Sequence, residues 1–491
     1  MRILFLYPPF YRFMGFYNRY FPYGLLTLAT SARNHGHIVS VYNADLNNAP
    51  VDINVSNLAD HYDSYLNSFR EENNTVWKEV ENTITSFQAD MIGIQVYTDF
   101  AASAFHIAEM SKKIDSKCVV VMGGPHITVK ADEVIKICSD VDYLIKGEGE
   151  QTLNELIDHL VYGTSKIDTI NGLAFRKGNK VFNTPNRDLA RGSLDVPFPD
   201  RSLLMNEKHY SSEDLGLLMT ARGCPFKCTF CVTERNTRFR TVDSVIEEIK
   251  EVQKRYGTKQ FTLKDDTFTL NKKRVREFCE RLIFERIRIV WECNTRVDSM
   301  DEPLIKLMKK SGCIFIKVGI ETGSERILSS MQKKITFKQI KEGANLFKKY
   351  KIHWTGYFMI GVPGETREDM EKTLSFMYEL NPDFAYVGVY QPYPGSQLFR
   401  DGVANLLVNK KMSRHDFFNM PPNQYYKANP TIQLDIMSET EFKEIEIKIK
   451  TAFYNYNKNI FRLLKMALAK FPVYFNNPRN LLADFKKYLS Y

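Results

Sequence analysis

The chain has 491 residues, 44% hydrophobic and 25% charged, the balance of a globular protein of about three domains. Its formal net charge of +9 is moderate for this length; it favours an anionic substrate or surface weakly, and an ordinary basic exterior accounts for it. No stretch approaches the ~20 apolar residues of a membrane span, and only eight cysteines in so long a chain, behind a short apolar Met1–Pro8 opening, argue against a secreted disulfide scaffold and for a reducing, cytoplasmic setting.

Residues 1–160 alternate short apolar runs with helical stretches. Strands are predicted at Ile3–Tyr7, Ile38–Asn43, Met91–Val96, Val119–Met122 and Tyr143–Ile145, with helices at Tyr23–His35 and Ala101–Lys113. That alternation predicts a doubly wound, Rossmann-like parallel sheet, with ligands beyond the carboxyl ends of its strands. Those ends carry Pro8, Gln95, Tyr97, Thr98, Gly123, Gly124, His126, Gly147 and Glu148. Gly123 and Gly124 lack a Cβ and so permit close approach of a bulky ligand, although a Gly-Gly pair is also an ordinary turn.

Residues 161–205 read as a linker, with a small hairpin turning at Gly178-Asn179 and an irregular stretch punctuated by Pro185, Pro197 and Pro199. From 206 to 400 the alternation resumes. Strands are predicted at Leu217–Thr220, Phe261–Leu263, Val290–Asn294, Phe315–Ile320, Trp354–Ile360 and Tyr386–Tyr390, separated by helices such as Ser244–Arg255, Pro303–Ser311 and Lys338–Tyr350. This is the pattern of a partial TIM-type (β/α)6 barrel, whose chemistry belongs at the carboxyl ends of the strands.

The first of these strands runs into Thr220-Ala-Arg-Gly-Cys-Pro-Phe-Lys-Cys-Thr-Phe-Cys231, which brings Cys224, Cys228 and Cys231 onto one loop. Closely spaced thiolates suit a soft metal centre. A structural zinc site or an electron-transfer cluster takes four protein ligands, whereas three leave one iron of a 4Fe–4S cluster open. Spacing alone leaves zinc with a borrowed fourth ligand, or an unrelated loop, in contention; the nearest upstream histidine is His209. Cys118, Cys138, Cys279, Cys293 and Cys313 stand singly in apolar or helical surroundings and read as buried hydrophobes.

The cysteine triplet and its neighbours resemble the radical SAM superfamily, strand by strand. The resemblance implies that S-adenosylmethionine (SAM) chelates the open iron and is cleaved to a 5′-deoxyadenosyl radical. It implies that Phe230 packs on the cluster, that Asp265 or Asp266 meets the methionyl amine and that Arg296 holds the carboxylate. Glu321 would contact the ribose and methionyl part, and the backbone at Ile360 and Gly361 would read adenine. Each residue taken singly is also an ordinary strand-end or turn residue. Pro22-x-Gly24-Leu-Leu, Gly36-His37, Gly123-Gly-Pro-His126 and Asp142-Tyr-Leu-Ile-Lys-Gly-Glu-Gly-Glu150 make the first domain resemble the cobalamin-binding domain at the front of many radical SAM enzymes. The D-x-H-x-x-G motif that ligates cobalt elsewhere is absent from residues 1–160, so no histidine of that motif is expected under the cobalt. A degenerate domain that no longer binds corrin stands beside this reading.

Residues 401–491 are predicted mostly helical, at Glu439–Asn455 and Asn459–Lys470, as a cover for the substrate. Pro421–Tyr426 is placed at the mouth. Lys458, Arg462, Lys465, Lys470, Arg479, Lys486 and Lys487 face Asp484 alone there, and Ile460–Phe471 reads as a basic amphipathic helix, either on a lipid surface or packed on the barrel. No basic–aromatic nucleic-acid module stands out. The expectation is a cobalamin-dependent radical SAM enzyme that methylates an unactivated carbon or phosphorus of a small or lipid-like molecule, fed by a flavodoxin- or ferredoxin-like electron donor. A radical oxidative cyclase resembling the anaerobic Mg-protoporphyrin cyclase is the second reading, and a non-catalytic metal or corrin carrier the third.

Overall fold

The computed structural model describes residues 1–49, 51–52, 58–164, 166–189, 194, 196–429, 432 and 436–469. The first sheet contains β1 (Arg2–Tyr7), β2 (Ile38–Asn43), β3 (Met91–Gln95), β4 (Val119–Gly123) and β5 (Tyr143–Ile145), joined by a hairpin of β6 (Leu173–Lys177) and β7 (Lys180–Asn183). Its order is β2-β1-β3-β4-β5-β6-β7, with the first five strands parallel. Ile3, Leu4, Leu6, Ile92 and Val120 are fully buried, as expected of continuous apolar strands covered by helices on both faces. The strand order reverses at β1, with β2 on one side and β3 on the other, and this switch point opens a crevice at the carboxyl edge.

The hairpin expected within the linker is not free-standing. Tyr143 pairs with Phe175 and Ile145 with Leu173, so the two antiparallel strands prolong the first sheet. Nothing in its local pattern marked which edge it would join.

The second sheet is wholly parallel and runs in chain order: β8 (Leu217–Leu218), β9 (Gln260–Leu263), β10 (Val290–Thr295), β11 (Cys313–Glu321), β12 (His353–Ile360) and β13 (Phe384–Val389). Each step between strands carries a helix, among them Val242–Tyr256, Lys272–Phe284, Glu302–Lys310, Phe337–Lys349 and Arg367–Leu380. The result is an open six-stranded barrel. Trp291 is fully buried between β10 and the helices, with Phe268 and Phe278 edge-on at 5.6 and 5.7 Å and its indole N–H donating to the Ser311 carbonyl. β8 is shorter than expected because Thr220 and Ala221 turn their amides away from the ladder, toward Asp265.

The tail closes both halves. Helix Glu439–Asn457 buries Phe442, Ile445, Ile449 and Phe453 against the barrel, and the Asn457 amide completes the edge strand by bonding both N–H and C=O of Ala385. Upstream, Phe417 is buried against Phe105 of the first domain, and Arg414 reaches Glu109 at 2.7 Å. In helix Ile460–Ala469 the side chains of Ile460, Phe461, Leu464 and Leu468 are exposed, while Arg462 reaches the Pro382 carbonyl and lies 3.8 Å over the Tyr456 ring. Lys470, Arg479, Asp484, Lys486 and Lys487 lie outside the described residues. Among the described residues no helix is long and apolar enough to cross a membrane.

Candidate active site

The cysteine loop sits at the carboxyl end of β8, held from several directions. The Cys224 amide donates to the Glu234 carbonyl at 2.7 Å, and the Cys231 amide to the Cys228 carbonyl at 3.2 Å. Arg235 reaches the carbonyls of Phe226 and Cys231. Thr229 donates to Met331 and accepts from Leu398, each at 2.9 Å, which ties the loop to two later helices. Gly223 has φ +88°, and a Cβ there would lie 2.5 Å from the Asn236 carbonyl, so only glycine lets the loop close.

All three thiols are free of disulfides, and Cys224 and Cys231 open partly to solvent. Burial raises the Cys228 thiol's pKa, with Lys333 and Arg296 opposing the rise. Among the described residues no three His, Cys, Asp or Glu side chains gather around a single ion. A polynuclear cluster gives each thiolate its own iron and asks for a wider triangle. The donor set of three thiols beside two cations suits such an anionic cluster.

The stations implied for SAM surround this loop, but several are already engaged. Asp265 is buried and accepts from the amides of Thr220 (2.6 Å) and Ala221 (3.0 Å) and from the Thr220 hydroxyl. Arg274 backs the same turn through Thr220. Asp265 therefore orders the entry to the cysteine loop and lies buried beneath it. Asp266 opens to solvent within a recess. Its carboxyl is pushed above the ordinary range by desolvation and by Asp265, against the pull of Thr233.

Arg296 lies 3.7 Å over the Phe226 ring, with its fork closed on Asp298 at 3.0 Å by two bonds and its third contact on the Lys333 carbonyl. In this structure the fork expected for a ligand carboxylate is taken by Asp298. Glu321 adopts φ +71° at a bulge in β11 and pairs with the buried Lys333. A left-handed glutamate is a strained backbone that persists where its side chain must point one way. A Cβ on Gly319 would collide with that carboxylate at 2.2 Å.

Adenine reading by backbone at Ile360 and Gly361 meets a competitor. The Gly361 and Val362 amides donate to Glu365 Oε2 at 2.6 and 3.1 Å, and the Ile360 carbonyl accepts from Tyr390. Glu365 is fully buried with Oε1 unpartnered among the described residues, and desolvation lifts its carboxyl to about 8 against those two amides. Lys333, Arg274 and Glu365 were missed as site residues. Of these, only Glu365 stands close in sequence to an expected site residue, four after Gly361. Phe230 packs with Ile327, Met331, Val362 and Tyr390, between the loop and the barrel strands.

Facing the loop is a cleft of about 460 Å³ between the two sheets. The first sheet contributes Gln95, Tyr97, Gly123, Gly124, Gly147 and Glu148, as expected. The barrel contributes Leu217, Met219, Arg222 and Lys264. Gly124 has φ +115°, and a Cβ there would meet the Val96 carbonyl at 2.8 Å. Gln95 Oε1 is buried without a partner among the described residues, and the amide-fringed edge of a corrin is the kind of donor it lacks.

Pro8, Thr98 and His126 do not line the cleft. His126 is buried behind it, bonded to Thr98 at 3.1 Å and edge-on to Phe417, and desolvation lowers its pKa to about 3, followed by Lys130. No histidine lines the cleft, so the described lining offers no imidazole to cobalt. Glu148 lines it, but its carboxylate is committed to Arg222 (3.3 Å) and Arg238, which hold it below its ordinary pKa despite burial. Arg222 also binds Glu150 at 2.6 Å. These pairs join the two domains two residues before Cys224.

Residues 218–377 match the family model described as the Radical SAM superfamily, and residues 15–157 the B12 binding domain. An uncharacterized methyltransferase of Pyrococcus horikoshii is 34% identical over 383 residues, covering 77% of this chain and 81% of that protein. The anaerobic magnesium-protoporphyrin IX monomethyl ester cyclase of Rubrivivax gelatinosus is 30% identical over 374 residues, 74% of this chain and 65% of the cyclase. The structure of the radical S-adenosylmethionine methyltransferase TsrM from Kitasatospora setae, with cobalamin and a 4Fe–4S cluster bound, shares the fold. Its TM-score is 0.65 at 18% identity, over 84% of this chain and 79% of that one. This chain belongs to the radical SAM superfamily, with a B12 binding domain ahead of its radical SAM domain, and is a cobalamin-dependent radical SAM enzyme.

Proposed function

We propose that this enzyme transfers a methyl group to an unactivated carbon or phosphorus centre of a small or lipid-like substrate. The observation that carries the reading is the placement of the glycine-lined cleft against Arg222, two residues from the first cysteine, so that a corrin and a cluster would share one face of the barrel. Bound there, the three cofactors supply reductive cleavage of SAM, hydrogen abstraction from the substrate and a transferable methyl group.

The chain's own residues hold and shield these groups. Cys224, Cys228 and Cys231 would ligate the cluster, and Phe230 would cover its substrate side. Asp266, open where Asp265 is closed, is the partner for the methionyl ammonium. Arg296 would meet the carboxylate by exchanging Asp298 for it, and Glu321 with Lys333 would border the ribose. Gln95, Tyr97, Gly123, Gly124 and Gly147 would cradle the corrin, with Arg222 and Lys264 closing its barrel side. The proposed division places B12 in residues 1–160 with the hairpin of 161–205, radical chemistry in 206–400 and a cover in 401–491.

The test is anaerobic reconstitution with iron, sulfide, SAM, hydroxocobalamin and a flavodoxin- or ferredoxin-class donor. The expected products are 5′-deoxyadenosine and S-adenosylhomocysteine together, both abolished by Cys228→Ala. 5′-Deoxyadenosine without S-adenosylhomocysteine would move the assignment to a radical cyclase, the reading that likeness to the Rubrivivax protein favours. Membership of an enzyme superfamily removes support from the carrier reading. The exposed apolar side chains of Ile460–Ala469 support lipid contact by this helix, tested by vesicle co-sedimentation of the full chain.

A further inference from the structure

We infer that Lys427 anchors an anionic group, a carboxylate or a phosphate, of an apolar-bodied substrate in a second cavity beside the cysteine loop. The inference rests on the reading above, whose site it deepens. The cavity, about 450 Å³, opens over the carboxyl ends of β12 and β13. Phe230, next to Cys231, forms one wall, Phe10 and Tyr11 of the first domain another, and Phe442 of the tail helix a third. The aromatic walls suit an apolar ligand body, and the polar side chains set between them, among them Gln391, Asn423, Gln424 and Lys427, can take up a polar group of it.

Lys427 is the unusual member. It is 8% exposed and pinned by its backbone, its amide donating to Gln424 at 3.1 Å and its carbonyl accepting from Asn409 at 3.2 Å. Among the described residues its ammonium has neither a hydrogen-bond nor an ion-pair partner. The acid closest in influence, Glu446, is itself paired with Lys450 at 2.5 Å. Burial lowers the Lys427 pKa to about 8, with Glu446 pulling it up and Lys450 pushing it down.

A buried cation with no partner among the described residues is costly unless a counter-charge arrives, and a ligand anion is a counter-charge that the cavity can admit. Asp99, the other half-buried carboxylate of the cavity, is engaged by the Tyr393 hydroxyl at 3.2 Å and makes no ion pair with Lys427. Asp60, Glu439 and Lys443 stand exposed on the rim, where solvent screens them.

The anchor is tested on the full-length, cluster- and cobalamin-loaded enzyme by calorimetric titration with hexyl phosphate, hexanoate and hexyltrimethylammonium. At least one anion should bind and the cation should not; which anion binds better separates phosphate from carboxylate. Lys427→Met should weaken the anion by about tenfold or more, whereas Lys427→Arg should keep it within about threefold. In the unmutated enzyme the bound anion should slow reductive methylation of Lys427, read by mass spectrometry, which covers the case of a misfolded variant. Equal binding by Lys427→Met, undiminished labelling of Lys427, or no binding of either anion at millimolar concentration overturns the anchor. Failure of the unmutated enzyme to cleave SAM, measured without probe, would instead remove the radical reading and leave the anchor standing.

Discussion

Replacing Asp265 by alanine separates two roles that its position makes easy to confuse. Its carboxylate accepts from two buried amides, at 2.6 and 3.0 Å, and from the Thr220 hydroxyl, on the turn that leads from β8 into the cysteine loop. A buried donor left without an acceptor costs about 1–3 kcal/mol, so the two amides together lose about 2–6 kcal/mol. The lower half is expected, because Arg274 still holds the Thr220 carbonyl and hydroxyl. That energy falls on the segment presenting Cys224, so Asp265→Ala should lose most of its iron and sulfide after anaerobic reconstitution, measured per chain. Asp266→Ala should keep its cluster and bind SAM at least about tenfold more weakly, since it removes only the open carboxylate. If Asp265→Ala holds a full cluster and loses only SAM affinity, the carboxylate contacts the methionyl amine and the structural assignment is wrong.

Gly124→Ala forces a Cβ to 2.8 Å from the Val96 carbonyl at φ +115°; hydroxocobalamin affinity, followed by absorbance titration, should fall at least about tenfold while iron content is unchanged. Unaltered affinity would move the corrin out of this cleft. Glu248 is fully buried between Arg201 and Arg240, at 2.9 and 2.5 Å, and touches Tyr23 of the first domain. Glu248→Leu leaves two buried guanidiniums without a carboxylate and should lower stability by about 3–5 kcal/mol in urea unfolding; no shift in midpoint would mean that the backbone carbonyls around them suffice. Glu365 carries a folded-state pKa of about 8 against an ordinary 4.5, so the folded chain holds a proton that the unfolded chain has released between those values. Stability should therefore fall as pH rises from about 4.5 to about 8 and level off above. Glu365→Gln should flatten that slope, and an unchanged pH profile of the thermal midpoint would refute the assignment.

What could be read from the chain, and what could not, follows the range of the interactions involved. Buried parallel strands are written locally, as apolar runs between turn residues, and β1, β2 and β5 fall where those runs predict them. The cysteine loop is equally local, three soft donors within eight residues. The division of labour between Asp265 and Asp266 is not local. It is decided by Thr220, which lies 45 residues upstream of Asp265 and presents its amide and hydroxyl to one carboxylate and not its neighbour. The same holds for Arg296, whose fork is closed by Asp298, and for the Gly361 amide, captured by Glu365. Residue type and strand position select each of these as a ligand contact, and only the partner shows whether the group is free.

The tail illustrates the limit more sharply. Phe417 and Lys427 stand ten residues apart in a stretch with no periodicity to separate them. One is buried against Phe105 of the first domain, and the other is turned toward the cavity that the barrel and the first domain enclose. A segment that packs on both domains can report the occupancy of the space between them. In the glycine-lined cleft, a separate space, the ion pairs of Arg222 and Arg238 with Glu148 tie the first domain to the barrel. A change in the cleft should then be felt at the cysteine loop through Arg222. Breaking the link with Glu148→Gln should accordingly weaken hydroxocobalamin and SAM binding together. Loss of hydroxocobalamin binding alone would confine Glu148 to the corrin side and refute that coupling.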